Sequence, residues 1–338
     1  MAQRLLTHSL DSLLAAALAA RADLFEARRE AAFRLFNGFT EGCPDLVVDL
    51  YARTLVLHNY ADLPEAAQET MLAAQSYLQV HLPWVQTVVL KTRNGHTPDE
   101  RRGVIIGGET PDRKIRDPKG GVWYAVDLRL NRDASFYLDT RNLRRWTFDH
   151  LADKTALNTF AYTGSLGVAA TAGGARRVVH LDRSRAFLNV AKTSHTLNGF
   201  PIHKPDFIAG DFWEQVSRLK RARETFDCVF LDPPFFAESN TGKVDLVNQS
   251  QRLINKVRPL VANGGWLVAI NNALFVSGAD YMQTLEGLCA DGYLSIETLI
   301  PVPPDLTGYP ETQVRPPLVD PAPFNHSTKI AVLRAHRK

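Results

Sequence analysis

Cysteine is scarce in this chain of 338 residues, which contains only Cys43, Cys228 and Cys289. Their spacings match neither a disulfide framework nor the paired thiols of a zinc site. The ten histidines are scattered without the spacing of metal ligands. The sequence therefore predicts no bound metal, and three unpaired cysteines favour the reducing cytoplasm as the location.

Long apolar runs are also absent, and no stretch approaches the roughly eighteen uninterrupted apolar residues of a membrane span. Leu13 to Ala20 imitates the core of a signal peptide, but Asp11 precedes it and Ala22 to Arg29 continues in helical register with charges. An amphipathic helix is the better interpretation. With 45% hydrophobic residues the chain can bury two cores, so we expect two domains and no membrane partner.

Net charge is low, at +3, so only a local concentration of charge predicts an anionic partner. Between Lys91 and Lys119 there are eight Lys and Arg against five Asp and Glu, and turn residues interrupt the segment. Arg144 and Arg145 add charge from a predicted helix nearby. A solvated charged face is the alternative for any one of these side chains. The residues predicted to meet phosphates are Arg101, Arg102, Arg113, Lys114 and Arg144, with Arg116 also expected to point outward.

A glycine-rich Gly-x-Gly-x-x-Gly turn is missing where a nucleotide-binding fold would begin. An apolar run, Ala156 to Phe160, leads instead into Tyr162-Thr163-Gly164, and Leu166 to Thr171 then has a helical pattern. A pyrophosphate needs several glycines and a helix N-terminus, so a dinucleotide is disfavoured. S-adenosylmethionine, a nucleoside cofactor without phosphate, fits this turn better.

Acidic residues follow three further strand-like runs. The runs are Arg176 to Leu181, Asp206 to Ala209 and Phe226 to Leu231, and the acidic residues are Asp182, Asp211 and Asp232. Asp182 comes eighteen positions after Gly164, which is about the spacing of a ribose-binding carboxylate in a Rossmann-type fold. Because the carboxyl ends of parallel strands share one edge, we expect these loops to converge. The predicted fold class is therefore α/β with a Rossmann-like sheet.

Motifs over about a hundred residues resemble, in order, those of the RlmI/RlmK group of bacterial class I rRNA methyltransferases. They are Phe136-Tyr137-Leu138-Asp139-x-Arg141, Asn158-x-Phe160-x-Tyr162-Thr163-Gly164, Gly173-Gly174-Ala175, Asp182-x-Ser184, Leu197-Asn198-Gly199 and Asp232-Pro233-Pro234. A weaker resemblance covers Phe33 to Arg129. The implied organisation is a helical segment (1–30), a small α+β domain facing RNA (31–130) and a catalytic domain (131–338), without the PUA domain of many relatives.

The resemblance implies a cofactor, S-adenosylmethionine, and roles for individual residues. Thr163 and Gly164 would lie along its methionine half, with Asp139 and Arg141 near its charged end. Asp182 would bind the ribose and Asp211 the adenine, unless Asp211 only caps the following helix. Asp232 would sit beside the sulfonium and the incoming base. The other cofactor contacts implied are Phe136, Phe160, Tyr162, Arg183 and Phe212.

The group contains two chemistries, and a cysteine distinguishes them. Carbon-5 of cytosine is not nucleophilic until a thiolate adds to carbon-6. In carbon-methylating relatives that cysteine ends the strand after the long helix, but here the strand Gly265 to Ile270 ends in Asn271-Asn272. These asparagines resemble those of RlmK, which methylates N7 of a guanine. The expected product is thus N7-methylguanine in large-subunit (23S) rRNA, with Asn271 at the base; a capping role for the asparagines is the alternative.

Phe235 leaves a second product open, because Asp-Pro-Pro-Phe also resembles the loop of exocyclic amine methyltransferases. Asp232, Pro233 and Phe235 would then hold an adenine or guanine amine, with Phe235 rather than Phe236 stacking on the extruded base. Ordinary packing is the alternative for both rings. From other classes, an RNA chaperone that binds the cofactor without catalysis and a small-molecule methyltransferase remain open.

The two segments that close the predicted domains are a strand from Val122 to Leu128 and a proline-rich stretch from Val302 to Phe324. The stretch is expected to be extended and to lead into a last strand, Thr328 to Leu333, antiparallel at the sheet edge. His326 is the one histidine expected near the chemistry, in a structural or phosphate-contacting role.

Overall fold

Two compact units make up the chain in the computed structural model, which describes residues 9–118 and 120–337. The smaller unit takes in the chain up to Gly121, then Val126–Leu138 and Pro304–Pro317. The larger unit consists of Val122–Ala125, Asp139–Pro303 and the chain from Leu318 onward. Residues 1–8 of the predicted helical segment, residue 119 of the predicted basic segment and residue 338 of the predicted catalytic domain lie outside the described residues.

The described elements alternate helix and strand through most of the larger unit. The helices are α1 Leu10–Ala20, α2 Gly38–Glu41, α3 Gln68–His81, α4 Pro98–Arg102, α5 Arg141–His150, α6 Ser165–Ala172, α7 Arg185–Leu197, α8 Phe212–Arg221, α9 Ser250–Val257, α10 Gly278–Cys289 and α11 Pro304–Thr307. The strands are β1 Ala32–Asn37, β2 Leu46–Tyr51, β3 Thr54–Asn59, β4 Thr87–Thr92, β5 Val104–Gly107, β6 Lys114–Arg116, β7 Trp123–Ala125, β8 Thr155–Thr159, β9 Arg177–Asp182, β10 Phe207–Ala209, β11 Phe226–Leu231, β12 Phe236–Ser239, β13 Gly242–Asp245, β14 Val261–Asn271, β15 Leu294–Leu299 and β16 Lys329–Ala335. Single 3-10 turns cover Ala22–Leu24, Pro64–Ala67, Lys204–Asp206 and Arg258–Leu260.

The smaller unit is a five-stranded sheet in the order β1-β2-β3-β4-β5, in which only β3 and β4 run parallel. Its core takes Leu14 and Ala17 from α1 and Met71, Ala74 and Leu78 from α3, all buried against strand residues. The helix predicted near the N-terminus is therefore present as α1. It packs into the core of this unit instead of forming a segment of its own.

A buried ion pair ties α11, far away in sequence, to the smaller unit. Arg21 is fully buried, and both of its Nη atoms donate to the Glu41 carboxylate at 3.0 Å. Its Nε donates to the Arg34 carbonyl at 2.7 Å, and Nη2 also donates to the Asp305 carbonyl at 2.9 Å. The Asp305 carboxylate accepts the Arg34 N–H at 3.0 Å. A buried charge is tolerated only when it is paired and hydrogen-bonded in this way.

The larger unit is built on a seven-stranded sheet in the order β10-β9-β8-β11-β14-β16-β15. The first five strands are parallel, and the last two are antiparallel to their neighbours. The chain order reverses between β8 and β11, and in an open α/β sheet ligands bind at the carboxyl ends beside such a switch point. The Rossmann-like α/β fold predicted from the strand ends is confirmed, and its switch point lies between the loops that begin at Phe160 and Asp232.

Two predicted strands differ in the structure. The last strand exists as β16 and is antiparallel, but it lies between β14 and β15, so the prediction that it forms the sheet edge is wrong. The strand predicted over Val122 to Leu128 is only Trp123–Ala125, and beyond it the Asp127 N–H donates to the Ser135 hydroxyl at 2.7 Å and not to a neighbouring strand. Residues of α7 and its C-terminal cap bond the short strand itself. Asn198 accepts the Trp123 N–H at 2.9 Å and donates to the Trp123 carbonyl at 2.7 Å, and Ser194 Oγ accepts the Ala125 N–H at 2.9 Å.

The proline-rich stretch is also not uniformly extended. It contains α11, and Pro304–Pro317 belongs to the smaller unit through Arg21 and Asp305. Asp305 is 284 positions from Arg21, so no local sequence pattern could predict this contact. None of the helices in the described ranges combines the length and apolar character that a bilayer crossing requires.

Replacing Arg21 with Met is expected to lower the free energy of unfolding by about 3–5 kcal/mol, because the Glu41 carboxylate would remain buried and unpaired. Urea unfolding followed by circular dichroism measures this. Arg145→Met is the matched control, since Arg145 forms an exposed pair with Asp149 and should cost less than about 1 kcal/mol. Equal losses in the two variants would contradict a special role for the buried pair.

Candidate functional site

The loop after β8 has an unusual backbone. Phe160 and Tyr162 have φ of 53° and 51°, and Gly164 follows at 79°. Bulky residues rarely adopt this left-handed region, at a cost on the order of 1–3 kcal/mol each. Gly164 is required, since a Cβ there would lie 2.5 Å from the Ala191 Cβ. Strain that surrounding contacts maintain in this way is typical of a functional site.

Asp182, the last residue of β9, holds this loop in place. Its Oδ2 accepts the Tyr162 N–H at 2.7 Å, and its Oδ1 accepts the Ser184 N–H at 2.8 Å. Burial raises the pKa of the carboxyl, while these backbone hydrogen bonds oppose the shift. Each carboxylate oxygen can accept a further bond. The predicted ribose acceptor therefore also shapes the turn beside it.

Two aromatic residues of the loop pack on rings of the neighbouring helices α8 and α7. The Phe160 ring stacks on Phe212 with centroids 4.5 Å apart, and Tyr162 meets Phe187 edge-on at 4.6 Å. Thr163 is buried, whereas Arg183 is exposed between β9 and α7.

Asp211 caps helix α8, which is the structural alternative considered for it. Its Oδ1 accepts the Trp213 N–H at 2.8 Å and the Glu214 N–H at 3.3 Å. The same oxygen accepts the Thr241 hydroxyl at 2.5 Å, which links the β12–β13 hairpin to α8. A contact with adenine stays a prediction.

Two carboxylates meet at the carboxyl edge of the sheet. Burial, and next the charge of Asp139, raise the pKa of the half-buried Asp232 to about 7. Asp139 Oδ2 accepts the Thr328 hydroxyl at 2.7 Å, and its Oδ1 is buried without a hydrogen-bond partner among the described residues. An unsatisfied buried oxygen beside a second acid is costly unless a cationic donor binds there. Thr328 was missed by sequence reasoning, because only the inner position of β16 brings it here.

The loop after Asp232 presents two aromatic rings. Phe235 and Phe236 are 46% and 52% exposed, and Lys243 Nζ lies 4.8 Å from the Phe236 ring centroid. The Pro233 carbonyl accepts the Asn272 side-chain amide at 3.3 Å. The end of β14 therefore supports the loop.

The predicted contact of Asn271 with a base is wrong. Asn271 is 1% exposed, its Nδ2 donates to the Leu246 carbonyl at 3.2 Å and its Oδ1 accepts the Ala273 N–H at 2.9 Å. The strand continues through Asn271, which pairs with Lys329 inside the sheet. Its amide is thus bonded to backbone groups, and it does not cap the next helix either, since the N-cap of α10 is Ser277.

Neither cysteine of the larger unit lies at the carboxyl edge. Cys228 is fully buried in β11, and burial holds its pKa well above the ordinary value. Cys289 ends α10 just before β15, and the start of β15 pairs with Ala335. The carboxyl end of β14 pairs with Lys329, at the other end of β16. Cys43 belongs to the smaller unit, where burial raises its pKa as well.

The basic residues predicted to face phosphates are not all on the surface. Arg102, Arg113 and Lys114 are exposed, and Arg101 is half-buried with Nη1 donating to the Gly95 carbonyl at 2.7 Å. Arg116 is half-buried beside Glu30.

Arg144 was predicted to face phosphates but is buried. It is 3% exposed on the inner face of α5, where its Nη1 donates to the Thr140 hydroxyl at 2.8 Å and its guanidinium lies 5.7 Å from the Tyr124 ring centroid. Sequence spacing alone did not show which face of the helix packs inward. Arg144 therefore cannot contact RNA.

The remaining predicted residues lie in ordinary structural surroundings. Phe136 is buried in the smaller unit, with its carbonyl accepting the Tyr51 hydroxyl at 3.1 Å. Arg141 is the first residue of α5. His326 Nδ1 accepts the Thr328 N–H at 3.0 Å, which agrees with a structural role.

Asp232→Asn is expected to stabilise the protein at pH 8 but not at pH 4. The carboxyl has a pKa of about 7 in the folded protein and an ordinary pKa of about 3.9 in the unfolded chain. The free energy of unfolding therefore falls as the pH rises between these values, because Asp232 ionises more easily in the unfolded chain. The full shift corresponds to about 4 kcal/mol, and partial exposure reduces the expected gain to about 2 kcal/mol. Thermal unfolding across pH 4–8 measures it, with the exposed Asp149→Asn as control. A destabilised Asp232→Asn variant at pH 8 would contradict the assigned environment.

Comparisons with known proteins show the family of this chain. A family model described as S-adenosylmethionine-dependent methyltransferase matches residues 83–307. The ribosomal RNA large subunit methyltransferase I of Aeromonas salmonicida (strain A449) is 31% identical over 262 residues, which are 78% of this chain and 65% of that protein. That of Vibrio cholerae (strain ATCC 39541) is 31% identical over 249 residues, 72% of this chain and 62% of that protein. The chain thus spans less than two thirds of the length of these relatives.

Solved structures share the fold. A crystal structure of a protein described as a methyltransferase, complexed with SAH, superposes with a TM-score of 0.81 at 18% identity, over 96% of this chain and 81% of that chain. The SAM-dependent methyltransferase from Agrobacterium tumefaciens gives a TM-score of 0.60 at 17% identity, over 87% and 88%. The matching family model, together with the strained loop and the acidic pair at the switch point, places this chain in the S-adenosylmethionine-dependent methyltransferase family, with S-adenosylmethionine as its cofactor.

Proposed function

We propose that this protein methylates large-subunit rRNA at N7 of a guanine. The names of its relatives support ribosomal RNA as the substrate class. The choice of a nitrogen target rests on one observation, which is that neither cysteine of the larger unit stands at the carboxyl edge of the sheet. A purine N7 already has a lone pair in the ring plane, so it needs alignment with the methyl group but no covalent activation.

The cofactor's place is inferred from groups whose bonding is incomplete. When bound, S-adenosylmethionine supplies an electrophilic methyl group on a positive sulfonium. The unpartnered Oδ1 of Asp139 suits its ammonium, and the free acceptor capacity of Asp182 suits its ribose. Asp232 would face the sulfonium, where a carboxylate favours positive charge. The left-handed turn through Gly164 would let the backbone approach the methionine half.

The base would be held by the loop after Asp232. Phe235 is exposed and offers a ring face for stacking on an extruded base. Pro233 would fix the direction of the loop, and Asn272 supports it through the Pro233 carbonyl. Arg101, Arg102, Arg113 and Lys114 of the smaller unit would contact phosphates elsewhere on the RNA.

Exocyclic amine methylation is the second candidate. An amine must lose a proton during transfer, and the Asp232 pKa of about 7 suits a proton acceptor near neutral pH. The Pro233 carbonyl, which would accept an amino hydrogen, accepts one bond from Asn272 and keeps a second lone pair for the amine. The first candidate needs no proton acceptor.

Tritiated methyl transfer to rRNA from a strain lacking this gene tests the proposal, with the product digested to nucleosides and identified by mass spectrometry. Labelled 7-methylguanosine is expected, and Asp232→Asn should reduce the rate about 100-fold through lost alignment. A labelled exocyclic amine would promote the second candidate, and 5-methylcytidine would contradict the cysteine argument. Cofactor binding without transfer to RNA would favour an RNA chaperone or a small-molecule methyltransferase.

The affinity for S-adenosylmethionine should rise as the pH passes from 6 to 8, whereas that for S-adenosylhomocysteine should stay nearly constant. Deprotonation of Asp232, with its pKa of about 7, creates a negative charge that attracts the sulfonium, and S-adenosylhomocysteine lacks this charge. Isothermal titration calorimetry at several pH values measures both. Asp232→Asn should abolish the difference. Parallel pH profiles for both ligands in the unmodified protein would place the sulfonium away from Asp232.

A further inference from the structure

A basic groove lies between α8 and α9 of the larger unit. Its volume is about 650 Å³, and its lining includes Trp213, Lys220, Arg221, Thr241, Arg252 and Lys256. Helix α8 supplies Lys220 and Arg221, and α9 supplies Arg252 and Lys256. The sequence shows these cations only as four scattered charges, because the two helices are about thirty residues apart.

The positive charge of the groove is not neutralised. In the described ranges, none of its four cations forms an ion pair with a carboxylate, and Glu214 is the one acid in the lining. The groove lining therefore has a net charge of +3, as large as the net charge of the whole chain. Burial, followed by the charges of Lys220 and Arg252, lowers the pKa of Lys256. A bound anion would relieve this repulsion.

A buried aromatic ring positions two of the cations. The Arg252 guanidinium lies 4.7 Å and the Lys256 Nζ 5.7 Å from the Trp213 ring centroid. Lys256 Nζ also donates to the Ser217 hydroxyl at 2.7 Å. Trp213 is 8% exposed, so the ring serves as a platform for the cations and not for a base. Two charged groups held in fixed positions lose less entropy on binding an anion than free surface side chains do.

The groove adjoins the candidate site through the β12–β13 hairpin. Thr241 at the hairpin turn lines the groove and donates to Asp211, and a Cβ on Gly242 would lie 2.6 Å from Trp213 Nε1. The same hairpin begins at Phe236, directly after the loop of Asp232. A strand whose base enters that loop would thus have its neighbouring phosphates within reach of the groove.

We propose that this groove binds the phosphate backbone of the RNA substrate beside the target nucleotide. The inference rests on the proposed function and adds a second phosphate-binding surface to the smaller unit's Arg102, Arg113 and Lys114. It also supplies the larger unit with an exposed cationic surface, since Arg144, predicted for that purpose, is buried.

The test is the salt dependence of binding to an rRNA fragment that the unmodified protein methylates. Lys220→Gln/Arg252→Gln should reduce the slope of log Kd against log salt by roughly 1.4, and weaken binding about 25-fold at 0.1 M salt, for two lost phosphate contacts. The Kd for S-adenosylmethionine should not change. Arg176→Gln/Lys204→Gln is the matched control, because these two cations are exposed and do not line the groove.

An unchanged slope, or a reduction equal to that of the control, would overturn the proposal. Loss of inorganic phosphate binding in Lys220→Gln/Arg252→Gln with an unchanged RNA slope would also overturn it, and would make the groove a site for small anions. If the unmodified protein neither binds nor methylates rRNA, the proposed function fails first and the groove proposal with it.

Discussion

The Asp182 carboxylate is the interaction on which the candidate site depends. It accepts backbone N–H groups from Tyr162 and Ser184, so it fixes both the strained turn after β8 and the start of α7. Tyr162, whose N–H it accepts, has a positive φ, a conformation that persists only when surrounding contacts maintain it. The same oxygens retain acceptor capacity toward a ligand. One side chain at the end of β9 thereby fixes both the strained turn beside the switch point and the entry to α7.

The β12–β13 hairpin adjoins an acidic pair at its start and a basic groove at its turn. Asp139 and Asp232 form an acidic pair with an unsatisfied buried oxygen, which favours a cationic ligand. Lys220, Arg221, Arg252 and Lys256 form an unpaired basic groove, which favours an anion. A sulfonium cofactor and an RNA phosphate backbone match these two environments respectively.

Local features of the fold could be predicted from the sequence, and features set by distant neighbours could not. The strands ending at Asp182 and Asp232 follow from short apolar runs bounded by polar residues, and the structure confirms them. The position of β16 inside the sheet, and with it the Thr328 contact to Asp139, depends on strand order. Asn271 and Arg144 are buried, contrary to the prediction. The pairing register of β14 decides the burial of Asn271, and the inward face of α5 decides that of Arg144. The basic groove was invisible because two helices far apart in sequence build it.

A crystal structure of the protein with S-adenosylmethionine bound tests the central claim most directly, namely that the acidic carboxyl edge of the larger unit holds the cofactor. We expect the cofactor's ammonium within about 3 Å of Asp139 Oδ1, its ribose hydroxyls on Asp182 and its sulfonium facing Asp232. A cofactor bound elsewhere, or bound here with Asp139 Oδ1 still lacking a partner, would contradict it.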